Sequence, residues 1–118
     1  MDSTVLTGKQ EINMTATLTI RASTTTEEIE AAIPYLDMRK EAIERRDDAA
    51  AVLAEQGDQE VLELHHIDGV DVLFSPAFAY ALVNERSNGI GDSLLIGNDE
   101  CKSPEYAVSV WRGVEAEA

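Results

Sequence analysis

The sequence predicts an α/β or α+β fold in which a small sheet of about four strands packs against two or three helices. Two observations lead to this prediction. Some segments alternate between apolar and polar residues, whereas others space their apolar residues by three and four. These segments follow one another in the order strand, helix, strand, helix, strand, with a final strand or helix.

The length and composition indicate one domain. The chain has 118 residues, 44% of them hydrophobic, and a single cysteine. A chain of this size can bury its own core without a disulfide or a structural metal. We therefore expect a single domain over residues 1–118, with frayed termini at 1–10 and 113–118.

The charge restricts the partners. The 23 acidic and 9 basic residues give a formal net charge of −14, beyond the magnitude of about 2 to 8 that is usual for a small domain. Such a surface repels phosphates, so we expect no direct nucleic-acid binding. The basic cluster of Arg39, Lys40, Arg45 and Arg46 is interleaved with acids and nearly neutralised by them. A salt-rich cytoplasm or a high-GC genome would both produce this composition.

The apolar runs are short. None approaches the roughly 18 to 20 residues that span a bilayer, and the N-terminus has neither a basic leader nor an apolar stretch. These features predict a protein without membrane contact. A cytoplasmic location is expected, with a virion as the alternative.

The first strand is predicted over residues 11–21, where four threonines alternate with apolar residues. This register turns Leu18 toward the core and leaves Thr17 exposed. The apolar face comprises Ile12, Met14, Ala16, Leu18 and Ile20.

A helical region is predicted over residues 26–56. Thr25 and Glu28 have the spacing of a capping box, and Gly57 is placed to terminate the last helix. Pro34 should kink or restart the helix, so one kinked helix and two helices both remain open. The apolar stripe comprises Ile29, Ala32, Ile33 and Leu36.

The region 60–74 has two interpretations. Asp68-Gly69 between two β-like runs predicts a hairpin, and the alternative is one core strand followed by a loop into a helix. In both interpretations a helix follows over residues 76–86, with Ser75 as its N-cap and Pro76 at its first position. A short strand is predicted at 93–97, and residues 105–111 form the final strand or helix.

The run Val61-Leu62-Glu63-Leu64-His65-His66-Ile67-Asp68-Gly69-Val70, leading through Phe74-Ser75-Pro76-Ala77-Phe78-Ala79, resembles the central strand-loop-helix of STAS-like domains, the relatives of anti-sigma-factor antagonists. The resemblance covers roughly residues 60–98. It implies a small sheet covered by helices, no cofactor, and action by binding a partner, sometimes switched by phosphorylation of a serine matching Ser75. The interaction residues it implies are Asp68, Val70, Phe74, Ser75 and Phe78.

Candidate catalytic and metal-binding residues are concentrated in one stretch. Glu63, His65, His66, Asp68 and Asp71 are all metal-ligand types. Successive strand residues alternate between faces, however, so Glu63 and His65 share one face while His66 and Asp68 take the other. We therefore expect no metal site and no cofactor.

A nucleophilic site is also not expected. Ser75 or Cys101 would need His65 or His66 as its base, and neither has a recognisable motif around it. We therefore expect no catalytic residues and no enzymatic activity.

Three function classes remain. The first is a non-enzymatic, acidic protein–protein interaction module, for which the resemblance to STAS-like domains implies a regulatory role. The second is a structural component of a virus particle or other self-assembly, and the third is a DNA-mimicking inhibitor. Mimicry requires acids at phosphate-like spacing on one face, whereas the acids here are scattered. The aromatic residues are candidates for either an interface or the core: Phe74, Phe78, Tyr80, Tyr106 and Trp111.

Overall fold

The computed structural model describes residues 17–85, 93–97 and 99–117. Within these ranges the fold is α+β, with one five-stranded sheet and four helices, one strand and one helix more than the upper bounds predicted from the sequence. In chain order the elements are β1 (Leu18–Arg21), α1 (Thr26–Ala32), α2 (Leu36–Ala50), α3 (Leu53–Gln56), β2 (Glu60–Ile67), β3 (Val70–Ser75), β4 (Tyr80–Glu85), β5 (Leu94–Ile96) and α4 (Pro104–Glu117).

The sheet is an antiparallel meander in the order β1-β2-β3-β4-β5. Helices α1 and α2, which connect β1 to β2, pack on one face, where Leu73 of β3 joins Ile29 and Met38 in one core cluster. Helix α4 packs on the opposite face, against Val72 and its neighbours on β3 and β4. The central strand β3 is consequently buried on both faces.

The register predicted for β1 is confirmed in the described part of the segment. Ile20 is fully buried, Leu18 packs against the α1–α2 core, and Thr17 is exposed. The strand pairs with β2 through Leu18 opposite Leu64. The predicted inward residues Ile12, Met14 and Ala16 lie outside the described residues, as does the segment 1–10.

The capping box predicted at the start of α1 is confirmed. Thr25 Oγ1 accepts from the Glu28 amide at 3.1 Å, and the Glu28 carboxylate accepts from the Thr25 amide at 2.9 Å. These two bonds satisfy amides that the first turn of a helix cannot pair internally.

Pro34 divides the helical region, which resolves the open alternative in favour of separate helices. The first helix ends at Ala32 and the second begins at Leu36, followed by the short α3, whose C-cap is Gly57 with φ of +79°. The break also changes the apolar stripe, because the new helix starts in a different phase. Leu36, expected to be inward, is 74% exposed.

The hairpin predicted at Asp68-Gly69 is confirmed. Both residues have positive φ, +52° and +80°, as a two-residue turn of type I′ requires. Strands β2 and β3 pair from this turn outward, with Ile67 opposite Val70.

The helix predicted over residues 76–86 is wrong. Residues 76–79 form a turn, and β4 follows as the next strand of the meander, with Tyr80 opposite Ser75. Ser75 Oγ accepts from the Phe78 amide at 3.2 Å, which is the bond an N-cap makes, but here it closes a turn between strands. The Ser-Pro signal is common to both structures, and burial of β4 between the two helical layers overrides the local helix propensity. The strand-loop-helix implied by the resemblance to STAS-like domains is therefore a second hairpin.

The remaining elements complete the second layer. The strand predicted at 93–97 is confirmed as β5, and the final element is a helix that runs to Glu117. Trp111 of α4 lies in the core against the sheet, where its indole N–H donates to Glu85 at 3.0 Å. Within the described part of the chain, no helix is both long and apolar enough to cross a membrane.

We expect opposite effects from alanine at two glycines. Gly97 has φ of +59°, and an added Cβ would lie 3.0 Å from the Cys101 amide nitrogen, so Gly97→Ala should lower the free energy of unfolding by about 1 to 3 kcal/mol. Gly113 lies inside α4 with open space around it, so Gly113→Ala should raise that free energy by up to about 1 kcal/mol. Urea unfolding measures both, and equal effects at the two positions would contradict the strain assigned to Gly97.

Candidate functional site

Four of the five candidate metal ligands in the β2–β3 hairpin form two separate pairs. His65 Nε2 lies 2.8 Å from Glu63 Oε1 on the α4 side of the sheet, and His66 Nδ1 lies 2.5 Å from Asp71 Oδ1 on the α1–α2 side. Asp68 stands apart in the exposed turn. Among residues 17–85, 93–97 and 99–117, no three His, Cys, Asp or Glu side chains converge on one point.

The two nucleophile candidates are both buried. Cys101 is fully buried in the core under α4, and its thiol donates to the Ser103 carbonyl at 3.3 Å. Burial raises the pKa of this thiol, which disfavours the reactive thiolate. Ser75 is only 1% exposed and its hydroxyl accepts the Phe78 amide bond.

The five predicted interaction residues do not form one surface. Val70 and Phe74 are buried beneath α4, and Ser75 ends β3 rather than starting a helix. Asp68 and Phe78 are exposed but lie at opposite ends of β3. Only Phe78, 61% exposed, presents a large apolar side chain.

Phe78 belongs to a surface that the sequence did not indicate, which we name the α2 flank. It consists of two neighbouring depressions along α2, the first facing β4 and β5 and the second facing the start of β2 and the turn between β3 and β4. One, of about 260 Å³, is lined by Glu41, Tyr80, Leu82 and Leu95. The other, of about 320 Å³, is lined by Arg45, Asp48, Ala49, Val52, Gln59, Glu60, Val61, Ala77 and Phe78.

The two depressions adjoin along α2. Arg45 lines the second depression and Glu41 lines the first. Their side chains meet, with 3.8 Å between Arg45 Nε and Glu41 Oε2, because residues four apart are neighbours on a helix surface. Arg45 also pairs with Asp48 at 3.2 Å. A row of charged side chains therefore forms the α2 wall of the flank.

Tyr80 fixes this wall to the sheet. Its side chain is buried at the start of β4, and its hydroxyl donates to the Glu41 carboxylate. One turn earlier on α2, Asp37 accepts from the amide and the hydroxyl of Ser93, the residue before β5. Glu41 is thereby held in a defined position, with its carboxylate at the edge of an apolar depression.

Alkaline pH should weaken this attachment. Burial, and then the hydrogen bond to Glu41, raises the pKa of Tyr80 above its ordinary value near 10. A raised folded-state pKa means that the stabilisation is complete below about pH 10 and is lost as the pH rises further. We therefore expect the stability advantage of wild type over Tyr80→Phe to be constant up to about pH 9 and to shrink above pH 10. Urea unfolding of both proteins across this range is the measurement, and an advantage that stays constant to pH 11 would contradict it.

Sequence reasoning named Phe78 and Tyr80 among the aromatic candidates for an interface, but it did not place either of them on one surface with Glu41 and Leu95. The local signals were these aromatic residues and the apolar character of the β5 segment. The remaining information is long-range, since Glu41 and Tyr80 are 39 positions apart in the chain.

Comparison with known proteins adds no relative. No protein-family model matches the sequence, and no curated protein and no solved structure matches it significantly.

Proposed function

We propose that this protein is a non-enzymatic protein–protein interaction module that binds its partner through the α2 flank. One observation carries the proposal: two large apolar side chains, Phe78 at 61% and Leu95 at 58% exposure, border neighbouring depressions on the same side of α2. Exposed apolar groups beside partly buried pockets are where binding energy concentrates in protein interfaces.

The turn that presents Phe78 is held from both sides. The Phe78 amide donates to Ser75 Oγ, and its carbonyl accepts from the Asp99 amide at 3.2 Å. The next carbonyl, of Ala79, accepts from the Cys101 amide at 2.9 Å. A preorganised apolar anchor loses little conformational entropy when a partner covers it.

The composition of the flank also supports binding to a protein. Its floor is apolar, with Leu82 and Val61 partly buried, while Glu41, Arg45 and Asp48 supply a polar margin. Protein interfaces have this arrangement of an apolar centre and a charged rim. The net charge of −14 favours a protein partner over a nucleic acid.

Quantitative capture of partners from the organism that encodes the protein tests the proposal. Phe78→Ala should reduce recovery of the partner by at least about tenfold, the loss typical of an interface anchor. Leu36→Ala is the matched control, because Leu36 is also a strongly exposed apolar residue but lines neither depression.

A photo-crosslinking amino acid placed at position 78 or at position 36 provides an independent readout. We expect the captured partner to crosslink from position 78 and not from position 36. Equal capture by both alanine variants, together with equal crosslinking from both positions, would refute the α2 flank as the binding surface. Crosslinks only between copies of this chain would instead indicate self-assembly.

A further inference from the structure

Strand β5 leaves one edge of the sheet without a neighbouring strand in the described part of the chain. It is last in the strand order and pairs there with β4 alone, with Leu95 opposite Leu82. In an antiparallel ladder, alternate N–H and C=O groups of an edge strand point away from the sheet. This edge therefore offers backbone donors and acceptors to another extended segment.

The two edges of the sheet differ in how well they are protected against pairing with a further strand. The opposite edge, β1, ends in Arg21, which pairs with Glu60 at 3.2 Å. Strand β5 consists of Leu94, Leu95 and Ile96, with no charged residue and no proline. Proteins usually protect a sheet edge with charges, proline or a bulge, so an apolar edge without these features is suited to strand addition.

The charge beside β5 indicates the chemistry of the segment that would pair there. The Glu41 carboxylate lies in the same depression as Leu95. Asp37 lies one turn away on α2 and accepts hydrogen bonds from Ser93, the residue before β5. The overall charge of −14 attracts positively charged partners over a distance. A lysine or arginine can lay its aliphatic stem on leucine side chains while its charged end reaches a carboxylate.

We infer that the edge of β5, which has no neighbouring strand among residues 17–85, 93–97 and 99–117, accepts an extended, basic segment of the partner protein as a sixth strand, with a lysine or arginine side chain pairing with Glu41. This inference rests on the proposed function, since it names the partner segment that the α2 flank receives. In strand addition, backbone hydrogen bonds generally supply affinity and side-chain pockets supply specificity. Here the backbone of β5 would supply the hydrogen bonds, and the depression that contains Glu41 would select a basic side chain.

The test uses the full chain, labelled with ¹⁵N, and three short synthetic peptides. The first alternates valine and lysine, the second alternates valine and glutamate, and the third is the lysine peptide with N-methyl groups on the amides of one edge. We expect the lysine peptide to shift the amide signals of Leu94 to Ile96. The glutamate peptide should bind at least about tenfold more weakly, and N-methylation of the pairing edge should weaken binding by about tenfold.

Glu41→Gln provides the variant that tests selectivity. Glutamine retains an oxygen that can accept from the Tyr80 hydroxyl, so the fold is preserved while the charge is removed. We expect about fivefold weaker binding of the lysine peptide and unchanged binding of a peptide in which norleucine replaces lysine. Equal loss for both peptides would show that Glu41 acts only on the structure and would overturn the charge pairing.

The outcomes separate this inference from the function on which it rests. Binding at the α2 flank that is insensitive to N-methylation indicates a helical or other occupant, so it overturns strand addition but leaves the interaction function intact. Concentration-dependent shifts of Leu94 to Ile96 without peptide identify a second copy of this chain as the occupant, which also overturns the inference. If no peptide affects β5 and Phe78→Ala leaves partner capture unchanged, both proposals fail.

Discussion

Leu73→Ala is expected to lower the free energy of unfolding by about 3 to 5 kcal/mol, the upper part of the range for a buried leucine. Leu73 is fully buried on β3, the third of the five strands, and belongs to the core that α1 and α2 cover. Its neighbours lie on both adjoining strands, with Leu64 on one side and Leu82 on the other. A cavity at the centre of the sheet cannot collapse without moving both helices, so little of the loss is recovered by relaxation.

Urea unfolding followed by circular dichroism measures this effect. Leu95→Ala is the matched control, because it removes the same atoms from a strand position that is 58% exposed, and it should change the free energy of unfolding by no more than about 0.5 kcal/mol. A comparable loss for both variants would mean that Leu95 is covered in solution, which would contradict its place on an open surface.

Local sequence signals predicted those parts of the fold that local chemistry determines. The Thr25–Glu28 capping box, the Asp68-Gly69 turn and the helix break at Pro34 each depend on residues within one turn of each other. Their hydrogen bonds and φ requirements are the same wherever the segment lies in the protein. Such features can be predicted from a single sequence because no distant residue is needed to form them.

The segment 75–86 could not be predicted in this way. Ser75 and Pro76 are as suitable for a turn between strands as for a helix start, and the following residues have no clean alternation. Strand β4 exists because β3 and β5 both pair with it and because both of its faces are buried in part, Tyr80 and Val83 among the buried side chains. Those interactions are long-range, so the choice between helix and strand is made by packing.

The candidate site was predictable only in part for the same reason. Phe78 was identified as an interaction residue through a helix that does not exist, and its exposure arises instead from the turn between β3 and β4. The partnership of Glu41 with Tyr80 depends on how α2 lies across the sheet. No spacing in the sequence encodes that crossing.

Trp111→Ala is expected to lower the free energy of unfolding by about 3 to 5 kcal/mol, as is usual for removal of a buried tryptophan. Trp111 belongs to the layer that α4 forms over the sheet, on the face opposite to the core that contains Leu73. Trp111 is only 9% exposed and packs against the sheet with Val108 and Ile96. Its indole N–H donates to Glu85 at 3.0 Å, and the next residue, Arg112, pairs with the same carboxylate at 3.2 Å. Removing the indole therefore takes away both the largest apolar group between α4 and the sheet and one attachment of the helix to β4.

Circular dichroism must report this unfolding, because Trp111 is the one tryptophan of the chain and its fluorescence disappears with the substitution. Trp111→Phe should lose about 1 to 2 kcal/mol, since it keeps most of the apolar contact but not the bond to Glu85. Tyr106→Ala, on the same helix at a 44% exposed position, should cost no more than about 0.5 kcal/mol. If Trp111→Ala were as mild as Tyr106→Ala, α4 would not be anchored through its inward face, and the layer that it forms over β3 and β4 would have to be held by other contacts.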